Sequence, residues 1–226
     1  MNRTTFASSA LSVAGNYWWG DWLDVRFYLR ERLSRLKDKR VLDVGCGAGI
    51  LTYGLEMGSR FYGVDDDSKS LKLAKKLNPG MVFRKASMYA LPFKDSSFDV
   101  VVAANTLPGA DFRVSGDRKK LQKAFIDEVV RVLKPGGKLL FSTPNDAHLA
   151  YRNGVKATLQ EVEGLLSPYF DFEVRGWNPF PPWPFFLPGR VLARVPGWYA
   201  FIKWLCESGR FKRSGKCFFV EAIKRA

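Results

Sequence analysis

VLDVGCGAGILT, residues 41 to 52, is the stretch that decides the fold. Val41, Leu42 and Val44 read as a short apolar strand. Gly45, Gly47 and Gly49 follow at alternate positions, and Ile50 and Leu51 open what the pattern predicts as a helix near 49–57. A tight turn needs one glycine, whereas three in this spacing serve a backbone that a ligand approaches closely. The carboxylate of Asp43 stands just ahead of the turn. It would repel a pyrophosphate, and the sixth position of a dinucleotide fingerprint is Ile50 where glycine is required, so the ligand expected here is cationic.

Outward from this stretch the chain alternates. Strands are predicted at 60–64, 81–85, 98–104 and 137–143, with helices at 68–77 and 117–133. Thr158 and Glu161 form a capping signature before a helix, FEVRGW reads as a further strand, and CFFVEAIK at 217–224 as a last one that closes the sheet. Before the first strand, Asp21 is placed to cap a helix with Trp22, Val25, Leu29, Leu33 and Leu36 on one face and Arg26, Arg30, Glu31 and Arg35 on others. Strands alternating with helices predict an α/β, Rossmann-like, doubly wound and mostly parallel seven-stranded sheet with helices on both faces. Residues 1–38 are read as an N-terminal helical segment that either covers the ligand or packs under the sheet. Residues 39–226 form the main domain, with an aromatic and basic insertion at about 177–216.

Four stretches, taken in order, carry a resemblance. The first is Leu42, Asp43, Val44, Gly45, Gly47 and Gly49; the second is FYGVDDDSKSLKLAKKL, where a strand ends in Asp65. The third is FRKASMYALPFKDSSFDVVVAANTL and the fourth EVVRVLKPGGKLLFSTPN. Over residues 40 to 145 this pattern resembles the class I S-adenosylmethionine-dependent methyltransferases, in particular their small-molecule "type 11"-like members. The resemblance implies S-adenosyl-L-methionine as cofactor, with S-adenosyl-L-homocysteine as product. It implies that Asp43, Gly45, Cys46, Gly47 and Gly49 hold the methionine moiety and that Asp65, with Asp66 beside it, holds the ribose. Ser87 stands where the family carries an aspartate to the adenine amino group, and Met88 offers backbone and a soft apolar surface to the ring. Asn105, at the end of the fourth strand, lies where open α/β sheets bind ligands, and it either contacts the ligand or caps the loop. Tyr17, in the aromatic run NYWWGDW, folds over the cofactor or packs under the sheet. Asp99 is expected to begin a strand and not to touch ligand.

Methyl transfer needs an aimed nucleophile more than a base. The single histidine, His148, lies just past the fifth strand and is the candidate catalytic residue; Asp111 and no base at all are the alternatives. Three scattered cysteines argue against a disulfide scaffold or a zinc site, so no metal is expected. No apolar run approaches the roughly 20 residues of a membrane-spanning helix, and no signal peptide is read. A cytoplasmic protein, peripheral to a membrane at most, is expected.

The 36 basic and 22 acidic residues give a net charge of +14, a field that attracts polyanions. Residues 175–226 hold ten basic against two acidic residues, together with Trp177, Trp183, Trp198 and Trp204. This mixture fits either a lid over a small hydrophobic or lipid-like acceptor, with peripheral membrane contact, or a subdomain core with a solvated basic face. An RNA methyltransferase and a non-catalytic cofactor-binding partner subunit are the alternatives carried forward. NTLP does not match the motif of enzymes that methylate base amino groups.

Overall fold

In the computed structural model the described residues are 23–55, 58–107, 117–146, 157–177 and 196–226. A helix, α1 (Leu23–Ser34), leads into β1 (Lys37–Val44), then β2 (Gly58–Asp65), α2 (Ser68–Leu77), β3 (Val82–Lys85) and β4 (Phe98–Ala104). There follow α3 (Arg118–Val132), β5 (Leu133–Pro144), α4 (Leu159–Leu166), β6 (Phe170–Trp177), α5 (Trp198–Glu207) and β7 (Cys217–Lys224). The seven strands form one sheet in the order β3-β2-β1-β4-β5-β7-β6. All neighbours are parallel except β7, which runs antiparallel between β5 and β6. The last strand, expected to close the sheet, does so by inserting between β5 and β6.

The caps explain why the helices begin where they do. Asp67 accepts hydrogen bonds from the backbone N–H groups of Lys69 and Ser70 at 3.0 and 3.1 Å, and Asp117 does the same for α3. Thr158 and Glu161 form the full reciprocal box at the start of α4. Alternation along each strand divides the core into two layers. Val41, Phe61, Val100, Val102 and Phe219 face α1, α2 and α5; Leu42, Val64, Val101, Phe141 and Val220 face α3 and α4.

The helix expected near 49–57 is absent from the described part of that stretch. Residues 49–54 form successive turns in which Tyr53 N–H donates to the Ile50 carbonyl and Leu55 N–H to that of Thr52. Gly49 (φ +69°) and Gly54 (φ +64°) bracket only four residues, and each turns the chain out of the right-handed helical region. Asp99 opens β4 as expected: its carboxylate accepts from the Arg40 backbone N–H at 2.9 Å and from Lys134 Nζ at 2.8 Å, at the end of the sheet away from the glycine turn.

Register brings the strand ends together. Val44 pairs with Val64, Asp43 with Val102, and Ala104 with Ser142, so the carboxyl ends of β2, β1, β4 and β5 share one edge. Pro144 and Trp177 both pair with Cys217, so the segment between β6 and β7 leaves and returns at that edge. Its last residues pack tightly on β6. A Cβ on Gly176 would lie 1.9 Å from the Phe211 carbonyl oxygen, and one on Gly215 would lie 2.4 Å from Gly176 Cα. Both obstacles are backbone and cannot rotate away. Gly176→Ala is expected to lower stability by about 1–3 kcal/mol, measured as a lowered thermal midpoint. An unchanged midpoint would show that this loop moves freely off the sheet.

Candidate active site

The glycine turn is built by hydrogen bonds as well as by conformation. The N–H groups of Gly45 and Cys46 both donate to the Val64 carbonyl, at 2.8 and 3.0 Å, which locks the end of β1 to β2. Gly45 has φ +69°, and a Cβ there would meet the Thr106 side chain at 2.2 Å. Residues 45 and 106 thus seal the gap between the ends of β1 and β4. Gly47 has φ +51° and nothing within 4 Å of where its Cβ would be. It offers bare backbone to open space, the property expected of a position that a ligand covers. Gly49 lies lower, with its carbonyl accepting from Asn78 Nδ2 at 3.1 Å and from Thr52 Oγ1 at 3.2 Å.

Asp43 is 2% exposed, and its Oδ2 has no hydrogen-bond partner. Burial pushes its carboxyl up from 3.8 to about 8; Asp65 adds to the rise and Arg26 opposes it. A buried carboxylate oxygen held without a donor is costly, and a cation brought to it would remove that cost. Asp65 at the end of β2 is bound differently. Its Oδ2 accepts from Gly47 N–H at 2.8 Å and its Oδ1 from Asp67 N–H at 2.9 Å, so the carboxylate is fixed while each oxygen keeps acceptor capacity. A buried carboxyl whose Oδ2 lacks a hydrogen-bond partner, an oriented carboxylate with lone pairs to spare, and open glycine backbone between them fit a ligand with a cationic end and a vicinal diol. S-adenosylmethionine has both.

The other expected site residues sit around this pair. The Cys46 thiol turns into the core, where its Sγ would lie 2.9 Å from a Cβ on Gly63, so Cys46 brings only its backbone to the turn. Asp66 is exposed and raises the pKa of Tyr89, after the desolvation of that phenol. Ser87 is exposed, with its hydroxyl accepting from Tyr89 N–H at 3.2 Å, and Met88 is half-buried against the core. Asn105 takes a left-handed conformation (φ +57°) at the end of β4, and its Oδ1 accepts from the Ser142 hydroxyl at 3.2 Å. That contact ties β4 to β5. Tyr17, His148 and Asp111 lie outside the described residues.

Several residues here are not visible as site residues in the sequence. Arg30 is 4% exposed; its Nη1 donates to the carbonyls of Leu51 and Tyr53 at 2.7 and 2.8 Å, and burial pulls the guanidinium down to about 10. Helical periodicity places it on a polar face. The carbonyls that draw it inward exist because the turns after Gly49 leave them outside any helix. Asn78 ends α2, and its Nδ2 reaches the Gly49 carbonyl. Beyond β5, Asn145 Nδ2 donates to the carbonyls of Arg213 and Gly215 at 2.9 and 2.7 Å. Buried side-chain atoms without a partner recur at this edge: Thr143 Oγ1, Asp146 Oδ1 and Trp177 Nε1, besides Asp43 Oδ2. They lie at or just past the ends of β5, β6 and β1. A groove of about 650 Å³ between α3 and α4, lined by Lys119, Gln122, Ile126 and Tyr169 among others, includes none of these residues.

Residues 42–141 match the family model described as a methyltransferase domain. The chain is 37% identical over 134 residues to a phthiotriol/phenolphthiotriol dimycocerosates methyltransferase of Mycobacterium tuberculosis, covering 54% of this chain and 45% of that protein. It is 35% identical over 130 residues to a ubiquinone biosynthesis O-methyltransferase of Nitrosococcus oceani, covering 55% and 51%. The chain spans about half the length of these relatives. The structure resembles that of phosphoethanolamine N-methyltransferase 2 of Haemonchus contortus, solved with S-adenosyl-L-methionine, with a TM-score of 0.61 at 18% identity over 89% of this chain and 52% of the other.

Proposed function

We propose that this chain, which carries a class I S-adenosylmethionine-dependent methyltransferase domain, methylates a small hydrophobic or lipid-like acceptor at the carboxyl edge of its sheet. The observation that carries the cofactor assignment is Asp43, a buried carboxylate with an unpartnered oxygen beside the open backbone of Gly47. When bound, S-adenosylmethionine supplies a methyl group on a sulfonium leaving group. Asp43 would pair with the cationic end, Asp65 would accept the ribose hydroxyls, and Met88 would offer an apolar flank to the adenine. The chain's remaining task is to aim a nucleophile along the line of displacement and to exclude water.

Two matched relatives support the acceptor class. One is named for phthiotriol dimycocerosates and the other for O-methylation in ubiquinone biosynthesis. An acceptor hydroxyl must lose its proton during transfer. Asp146, with a buried and unpartnered Oδ1 just past β5, stands ready to take it, and His148 two residues on is the second candidate. Asp146→Asn is expected to lower kcat about 10²-fold with cofactor affinity unchanged; equal loss in His148→Ala and none in Asp146→Asn would transfer the role to the histidine.

Labelled methyl transfer into cell extracts tests the whole reading. Label is expected in the solvent-extractable fraction. Its recovery in RNA would favour the polynucleotide alternative, and its absence despite tight cofactor binding would favour a non-catalytic partner.

A further inference from the structure

We propose that the outer face of α5 docks on an anionic lipid bilayer. The proposal goes beyond methyl transfer and does not require the acceptor to be a lipid. It starts from a helix with too much apolar surface for one buried side. In WYAFIKWLCE, Ile202, Leu205 and Cys206 are buried against the sheet, while Tyr199 packs on Phe27 and Trp177 at 5.1 and 6.1 Å between ring centroids. The only two charges are spent on the inner neighbours. Lys203 Nζ pairs with Glu31 at 3.1 Å, and Glu207 accepts from the Tyr28 hydroxyl at 3.2 Å and pairs with Arg32 at 3.5 Å.

The outer face is left to aromatic rings. Phe201 is 43% exposed and Trp204 57%, one helical turn apart, with centroids 6.3 Å apart and planes 19° from parallel. Single exposed apolar residues are ordinary, but an adjacent aromatic pair on an otherwise apolar helix is a surface that water solvates poorly. Arg210 and Arg213 follow the helix, exposed and without an ion pair among the described residues. They belong to a stretch with ten basic and two acidic residues over 175–226.

A bilayer with anionic headgroups meets both halves of this surface. An indole and a phenyl ring settle at the boundary of headgroups and acyl chains, while guanidinium groups reach lipid phosphates. RNA fits less well. A strand stacked on the aromatic pair would need cations along the helix itself, and its one lysine is committed to Glu31.

The test is co-sedimentation of the full chain with phosphatidylcholine vesicles made with and without phosphatidylglycerol, in the absence of cofactor and acceptor, so that it reads docking alone. Wild type is expected to bind the anionic vesicles and to leave neutral ones. Phe201→Ser/Trp204→Ser and Arg210→Glu/Arg213→Glu should each weaken binding roughly tenfold or more, with thermal unfolding unchanged. Bromine-labelled lipid should quench wild-type fluorescence more than that of Trp204→Phe. Failure of wild type to bind at low ionic strength, or unaltered binding by the serine variant, would overturn the proposal. So would an RNA homopolymer whose binding needs the aromatic pair while vesicle binding does not.

Discussion

Asp43→Asn is expected to weaken S-adenosylmethionine binding by about 10²-fold while making the cofactor-free protein more stable above pH 8. Both effects come from one buried charge. The Asp43 carboxyl rises from 3.8 to about 8 on folding, chiefly through desolvation, so between these values the folded state holds a proton that the unfolded state has lost. The stability this group contributes is complete below about pH 4 and is lost as pH rises to about 8. Asparagine carries no such dependence. The variant's thermal midpoint, compared with wild type from pH 5 to 9 (a range of about four units), should therefore pull ahead on the alkaline side by about 2–4 °C for each kcal/mol recovered. Binding moves the other way, because a cation needs the ionised carboxylate. Wild-type affinity should increase as pH rises toward 8, and calorimetry at neutral pH in buffers of different ionisation enthalpy should show proton release on binding. A variant that binds as tightly as wild type, or a wild-type affinity indifferent to pH, would remove Asp43 from the cofactor site.

Arg30→Met should cost both stability and cofactor affinity, with the damage centred on residues 50–55. The guanidinium caps the Leu51 and Tyr53 carbonyls, and methionine would leave both without that donor. The buried Leu51 carbonyl so stranded costs about 1–3 kcal/mol, and the half-buried Tyr53 carbonyl less. Thermal denaturation should register a loss of this size. A loss of stability alone would follow from any core defect, so local hydrogen exchange decides the role. Amides of 50–55 should exchange faster than those of β4 and β5, and S-adenosylmethionine affinity should fall about tenfold. Arg30→Lys, which keeps the charge but not the fork, should recover part of the stability and less of the affinity. Uniform acceleration of exchange, with affinity intact, would make Arg30 a core residue only.

The contrast between these two residues shows what was legible in the sequence. Asp43 is named by its local pattern, an acid at the end of an apolar strand before three glycines, and the strand order places it at the carboxyl edge of the sheet without further information. The caps at Asp67 and Thr158 are local in the same way. Arg30 depends on contacts 21 and 23 residues away with turns that the sequence pattern takes for a helix. Asn78 and Asn145 are also long-range, reaching 29 and 70 residues along the chain to Gly49 and Gly215. Local pattern reports where a backbone bends; it does not report which distant carbonyls the bend leaves open. The antiparallel insertion of β7 is equally hidden, since Cys217–Lys224 is as apolar as an edge or a central strand packed on both faces would be.

A crystal structure of the chain soaked or grown with S-adenosylmethionine would test the central claim most directly. The methionine amino group is expected within hydrogen-bond distance of Asp43 Oδ2, the ribose hydroxyls on Asp65, and the ligand passing over Gly47. Ligand density elsewhere, or an Asp43 that keeps its oxygen unpartnered with the cofactor bound, would contradict it.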